Sequence, residues 1–385
     1  MTITFISNYI NHHQLPFCDA LSCLLGDGFC FVQTEAMEEE RLKMGWSNTG
    51  EKRTYVRQFA QEEEQILALI NDSDIVLAGW FEEIKIENAV QARIKNNKIV
   101  FRSSERIYRS GRWKFISPRG LIRKFKEHTR HRNKNYYLLC AGAYVADDFR
   151  LVLAYPGKKY RWGYFPKTVS YGEELWRQKN NAKAVKICWA GRFIPLKHPE
   201  YMIRLASDLK KRSHSFMINM IGAGDSENDI KKQAFKSGVL ESMTFHGACP
   251  PEKVRAMMES SHIHVFTSDY REGWGAVLNE AMNSGCAVVA SEEAGATRYL
   301  VTDGVNGFSY PNNKYEKMRD LVLELIENPG RREKMGRNAY KTITETWNAE
   351  KAAGELVRVC NDVLRGGDIV PAKEGPLSIH SNRHS

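Results

Sequence analysis

The chain has 385 residues, 42% of them hydrophobic and 26% charged, a length that suits two domains and a composition that excludes disordered and fibrous classes. Apolar runs such as Ile75–Phe81 are too short to cross a bilayer, and the first seven residues carry no basic flank or cleavage site, so no secretory signal is expected. Eight cysteines without a C-x-x-C pair or a metal-like Cys/His spacing argue against a disulfide scaffold or zinc module and point to reduced thiols in a cytoplasmic protein.

Short apolar runs followed by amphipathic segments predict parallel α/β sheets. Strands are expected at Ile3–Ser7, Phe29–Gln33, Ile75–Ala78, Ile99–Arg102 and Tyr136–Cys140, then at Val185–Ala190, Phe216–Ile221, Met243–His246, Ile263–Phe266 and Ala287–Ser291. Between the two groups, Tyr155–Lys183 is punctuated by Pro156, Gly157, Gly163, Pro166 and Gly172 without a period, and reads as an interdomain linker. The expected division is a first doubly wound domain over 1–165, a second over 166–338, a helical segment over 339–365 and a disordered tail over 366–385. Such sheets bind ligands beyond the carboxyl ends of their strands, so the chemistry should sit in the loops that follow them.

The loop after the first strand, Asn8–Gln14, offers Asn11, His12 and His13 just before a helix with Pro16 in its first turn. It suits hydrogen bonds to a sugar hydroxyl or a phosphate, and its blander reading is a polar surface loop. In the second half, Gly191-Arg192 with Lys197 places two cations after a strand, suited to phosphate oxygens but common in isolation. The turn Gly222-Ala-Gly224 is no dinucleotide fingerprint, because Glu227 stands where the third glycine would be. The richest loop runs from Asp269 to Glu280: Glu272 before a helix, Glu280 on it, and Gly273, Trp274, Gly275, Ala276 and Val277 between them, with amides directed from a helix start toward an anion.

The net charge of +10 is local. Residues 102–134 hold twelve Lys or Arg against Glu105 and Glu127, so the other 352 residues sum to zero. Arg102 and Glu105 open this segment and are candidate contacts to an acceptor or a donor phosphate. Its cations are interleaved with Trp113, Phe115, Ile116, Leu121, Ile122 and Phe125, which suits an interfacial helix on an anionic membrane surface. The competing readings are a solvated helix whose apolar stripe packs on the sheet and a site for acceptor phosphate. No RNA- or DNA-binding motif accompanies it, so nucleic acid is not an expected partner.

The second-half residues resemble the retaining glycosyltransferases of family 4, the group 1 glycosyl transferases of bacterial polysaccharide and capsule type. The marks are Gly191-Arg192 with Lys197, Gly222-Ala-Gly224, His246-Gly247, Glu272 and Glu280 eight apart, Gly285–Ser291 and Gly304–Phe308, in the family's order over about 130 residues. The resemblance implies the GT-B fold, two Rossmann-like domains facing across a cleft. Residues 1–165 would receive the acceptor, 166–338 would bind a nucleotide-sugar donor (a UDP-sugar), and 339–365 would cross back to the first domain. Arg192 and Lys197 would hold the diphosphate, Glu272 with the amides of Gly273–Val277 the transferred sugar and its phosphate, Glu280 the ribose, and the Met243–Gly247 strand end the base. The acceptor would be a saccharide or a lipid-linked saccharide. With no D-x-D where a Mg²⁺ site would need its carboxylates, no metal is expected. Where many members have a glycine pair, this chain has Asn11-His12-His13-Gln14. A cytoplasmic enzyme is expected, and the basic segment 102–134 would place it peripherally on the inner face of the plasma membrane. An epimerase or hydrolase of the same fold, or a non-catalytic nucleotide-sugar-binding protein, are the alternatives.

Overall fold

A computed structural model of the chain describes residues 1–43, 45–46, 48–109 and 111–379. Its apolar runs form the centres of two sheets. In chain order the strands are β1 (Ile3–Ser7), β2 (Phe29–Gln33), β3 (Val56–Gln58), β4 (Ile75–Ala78), β5 (Ile99–Ser104), β6 (Tyr136–Ala141) and β7 (Lys159–Trp162). They continue with β8 (Val185–Ala190), β9 (Phe216–Ile221), β10 (Met243–Phe245), β11 (Ile263–Phe266), β12 (Ala287–Ser291) and β13 (Phe308–Tyr310). The first sheet has the order β3-β2-β1-β4-β5-β6-β7 and the second β10-β9-β8-β11-β12-β13, and the pairings in both are parallel. Helices cover both faces of such sheets, which is why β1, β4, β6, β11 and β12 are buried along their whole length and read as largely apolar runs.

Taken over their described residues, Met1–Leu42, Ser47–Lys167 and Trp347–Ser385 form one compact unit, and Lys43–Trp46 with Thr168–Thr346 form the other. Each has its own core. Ile66, Ile70, Val76, Val90 and Val100 centre the first, and Ile187, Trp189, Met202, Val265 and Val289 the second. In the first unit the buried Arg93 donates to the carbonyls of Ile70, Asn71, Asp74 and Ile99 at 2.6–3.2 Å. It thereby satisfies orphan carbonyls at the end of the helix Glu63–Asp72.

Three expectations need correction. Tyr155–Lys183 is not a plain linker, since it holds β7 and the helix Glu173–Asn180, whose Leu175 and Trp176 are buried. The returning segment starts at Trp347, not at 339, because the helix Pro329–Lys341 and the π-turn Thr342–Thr346 stay with the second unit. From there the helix Ala349–Leu364 buries Ala353, Leu356 and Cys360 and packs on the helix Leu15–Leu25 of its own unit. Residues 366–379, expected to be disordered, are tied down. Leu377 is fully buried, its amide donates to the Arg161 carbonyl (2.8 Å), and the Arg161 amide donates to the Ser378 carbonyl (2.9 Å). Residues 380–385 lie outside the described residues. No helix among the described residues is long and apolar enough to cross a membrane.

Candidate functional site

In the second sheet β8 is followed on one side by β9 and β10, and on the other by β11, β12 and β13. The strand order therefore reverses at the β8/β11 pair, where the loops diverge and leave room for a ligand. Those two loops carry Arg192 and Lys197 after β8, and Glu272 after β11.

They are clamped before any ligand arrives. The Trp189 indole donates to Thr267 Oγ1 (2.8 Å), whose hydroxyl donates to the Lys197 carbonyl, while the Asp269 amide donates to the Leu196 carbonyl (2.9 Å). Lys197 ends a short 3-10 turn, Pro195–Lys197, with His198 in the left-handed region behind it. This backbone aims the Lys197 ammonium at Glu272 Oε2, with which it forms an ion pair, and holds it 5.7 Å from the Phe266 ring centre. Both side chains are mostly buried, at 14% and 16% exposure. Desolvation pushes the Glu272 carboxyl up, but the Lys197 charge and hydrogen bond outweigh it. The nearby Ser268 hydroxyl and the Arg192 charge add to that pull, so the net shift is downward. Ser268 is fully buried and its Oγ meets no partner at good hydrogen-bond geometry. The site is thus a carboxylate paired with one ammonium, with the Arg192 charge near enough to act on it.

Glycines let the loops approach. A Cβ on Gly222, at φ +128°, would lie 2.0 Å from the Gly191 carbonyl oxygen, and one on Gly224 2.7 Å from that of Phe193. The Gly-Ala-Gly turn is therefore required by loop–loop packing, sealed by Gly191 N–H to the Ile221 carbonyl and Phe193 N–H to the Ala223 carbonyl (both 2.9 Å). Gly275, at φ +93°, turns the chain over Phe266, whose Cζ would sit 2.4 Å from an added Cβ. Trp274 is buried and donates to Asn279 Oδ1 (2.9 Å), so its indole anchors the loop. Gly273 and Ala276 are buried beside it, and Val277 opens the seven-residue helix Val277–Asn283.

Glu280 lies on that helix, half-buried, and burial raises its carboxyl to about 7 against the opposing charge of Arg255. His246, at the end of β10, pairs its Nε2 with Asn219 Oδ1 (2.9 Å), and burial holds its imidazole below the usual range. Gly247 follows at φ +66° and its carbonyl accepts the Gly222 amide (2.9 Å). The second unit thus brings Arg192, Lys197 and Glu272 together around the switch point, with Gly191, Gly222 and Gly224 shaping the adjoining loop.

The first unit's candidates are placed on their own sheet. Asn11 Oδ1 accepts the His13 amide (3.0 Å), its carbonyl accepts the Gln14 and Leu15 amides, and the His12 and His13 rings lie 3.9 Å apart. Arg102 is engaged by Glu87 (2.8 Å) and lies 5.2 Å from the Phe81 ring centre, while Glu105 pairs with Arg109 (2.9 Å) and accepts from the Tyr164 hydroxyl (2.8 Å). Sequence reasoning missed Thr267 and Ser268, the two residues between β11 and Asp269. The available signal was their place at a strand's carboxyl end.

Residues 172–342 match the family model described as glycosyl transferases group 1. Among curated proteins, the chain is 30% identical over 201 residues to an uncharacterized glycosyltransferase of Methanocaldococcus jannaschii, covering 52% of this chain and 51% of that one. It is 26% identical over 177 residues to the alpha-D-kanosaminyltransferase of Streptomyces kanamyceticus, covering 46% and 45%. The chain spans about half the length of the curated relatives it matches. Among solved structures, Anabaena HepE in complex with UDP and glucose superposes with a TM-score of 0.67 at 13% identity, over 94% of this chain and 99% of that one. That likeness concerns the fold, the GT-B pair of Rossmann-like domains expected from the sequence. The match over residues 172–342, which lies within the second unit, makes that unit similar to the group 1 glycosyl transferases.

Proposed function

We propose that the protein transfers a sugar from a UDP-sugar to a saccharide or lipid-linked saccharide acceptor, with retention at the anomeric carbon, in cell-surface polysaccharide assembly. The observation that carries this reading is the Lys197–Glu272 pair beside Arg192, built from loops that meet at the sheet's switch point. The UDP and glucose bound to HepE, a protein of the same fold, support the choice of donor.

In this reading Arg192 and Lys197 neutralise the diphosphate. Negative charge on the leaving group grows as the anomeric C–O bond breaks, so fixed cations stabilise the transition state more than the ground state. Glu272 keeps Lys197 in position and, with the Gly273–Val277 backbone, receives sugar hydroxyls. Glu280 accepts from the ribose hydroxyls, and the His246–Gly247 strand end flanks the base. The acceptor oxygen bonds to the anomeric carbon on the face the diphosphate leaves, and its proton passes to the departing phosphate oxygen. With two cations at the diphosphate, the step is assigned no metal ion.

The test uses the full chain and a panel of nucleotide sugars. A UDP-sugar at 100 times its dissociation constant should stabilise the protein by about 2.7 kcal/mol. Arg192→Ala should lower kcat more than it raises KM, and transfer should persist in EDTA. A strict divalent-metal requirement would remove the metal-free step. Full turnover of donor without acceptor would favour the epimerase or hydrolase reading.

A further inference from the structure

The helix Pro118–Glu127, between β5 and β6, is amphipathic in the wrong sense for a globular surface. A surface helix ordinarily turns its apolar stripe to the core and its charges to water. Here none of the ten residues is buried, and the half-buried ones are Gly120, Lys124 and Glu127. Leu121, Ile122 and Phe125, spaced to share one face, point outward, with Ile122 and Phe125 each 56% exposed. The adjoining turn adds Trp113 at 69% and Ile116 at 66%. Six of the nineteen exposed large apolar side chains among the described residues fall between 113 and 125, so this is one patch rather than scattered exposure.

Cations flank the stripe. Arg119, Arg123 and Lys126 follow one another at helical spacing, and with Arg130 they line a cavity of about 430 Å³ against the helix Ile84–Lys95. Glu87 and Glu127 line the same cavity, but Glu87 is already paired with Arg102. Arg123 reaches Glu127 only at 3.9 Å, and Arg119 and Lys126 have no carboxylate partner among the described residues. The structure also takes Arg102, Arg106 and Arg109 out of the basic segment's free charge, through Glu87, Asp148 and Glu105.

We infer that this face docks the protein on an anionic phospholipid leaflet. Trp113, Ile116, Ile122 and Phe125 enter the headgroup–acyl boundary, and the cationic cavity takes lipid phosphate. Charge alone would suit an acidic polymer, but such a polymer gives four exposed apolar side chains nothing to bury against; a bilayer satisfies both stripes of one helix. The inference is independent of the donor-site reading, because docking requires no substrate and is measured without one.

The experiment is co-sedimentation of the full chain with phosphatidylcholine vesicles, with and without phosphatidylserine. Binding is expected only with phosphatidylserine, and should be lost as salt rises from about 0.1 to 1 M and the screening length falls from about 10 to 3 Å. Replacing Arg119, Arg123, Lys126 and Arg130 by Gln should weaken partitioning on the order of 100-fold or more, as each cation near the surface contributes about tenfold or less. Because these side chains are exposed, unchanged melting of the variant separates docking from folding. Ile122→Ser with Phe125→Ser should also weaken binding, and Trp113→Phe should remove part of a blue shift in tryptophan emission on binding. Equal binding to both vesicles, binding to neither, indifference to these variants, or competition by inorganic phosphate alone at low salt would each overturn the inference.

Discussion

Removing either member of the Lys197–Glu272 pair should separate its contribution to stability from its role at a leaving group. Truncating one partner of a buried ion pair costs about 3–5 kcal/mol when the survivor is left alone. Neither survivor is alone here. After Glu272→Gln, the ammonium keeps the Phe266 ring face at 5.7 Å, a contact worth about 0.5–1 kcal/mol, and some water. The expected cost is then about 2 kcal/mol. After Lys197→Met, the carboxylate keeps the Arg192 charge and the nearby Ser268 hydroxyl, and the cost falls to about 1–2 kcal/mol. The double variant should be no worse than the costlier single one, giving a coupling energy of about 1–2 kcal/mol. Urea unfolding of the four proteins by far-UV circular dichroism, read on the transition that the single substitutions move, measures it. Additivity within about 0.5 kcal/mol would refute the pairing. Turnover supplies a second axis. Lys197→Met should cut kcat by about 100-fold or more, and adding Glu272→Gln should not restore it.

The raised Glu280 carboxyl makes a pH prediction. Its folded value of about 7 exceeds the unfolded value of about 4.3, so the native state favours the protonated form. Its contribution to stability is fully present below the unfolded value and is lost as pH rises through about 7. Nucleotide binding through the ribose should strengthen over the same range as the carboxylate forms. Melting temperature and UDP affinity followed against pH should show both trends in the native chain and neither in Glu280→Gln. At the chain's end, Leu377→Ala should cost about 2–4 kcal/mol, as for other fully buried leucines, and ending the chain at residue 365 should destabilise the first unit. Melting curves identical to the native chain's would restore the disordered-tail expectation.

Much of the fold is legible in the residue order, for a physical reason. Central parallel strands are covered on both faces, so β1, β4, β8, β11 and β12 are largely apolar, and their bounds could be read directly. The strands that escaped are edge strands. β3 is half-buried at each of its three residues, β7 alternates as Lys-Tyr-Arg-Trp, and β13 has three residues. An edge needs no continuous apolar run, so it leaves little trace in composition.

The residues of the candidate site were likewise readable as types, because phosphate chemistry asks for Arg, Lys and glycine-freed backbone in loops after strands. Which of them meet was not. Lys197 and Glu272 are 75 positions apart, and only the strand order, with β11 beside β8, brings their loops together. The interleaved cations and apolar residues of 102–134 left open whether an apolar stripe faced the sheet. A helix has the same period whichever face it turns inward. Packing decided that Gly120, Lys124 and Glu127 face the protein while Ile122 and Phe125 face outward. The chain's last described residues make the same point. Glycine, proline and serine in 366–379 suggested disorder, yet Leu377 finds a buried seat beside Arg161 that no local pattern encodes, because the carbonyl its amide donates to lies more than two hundred residues earlier.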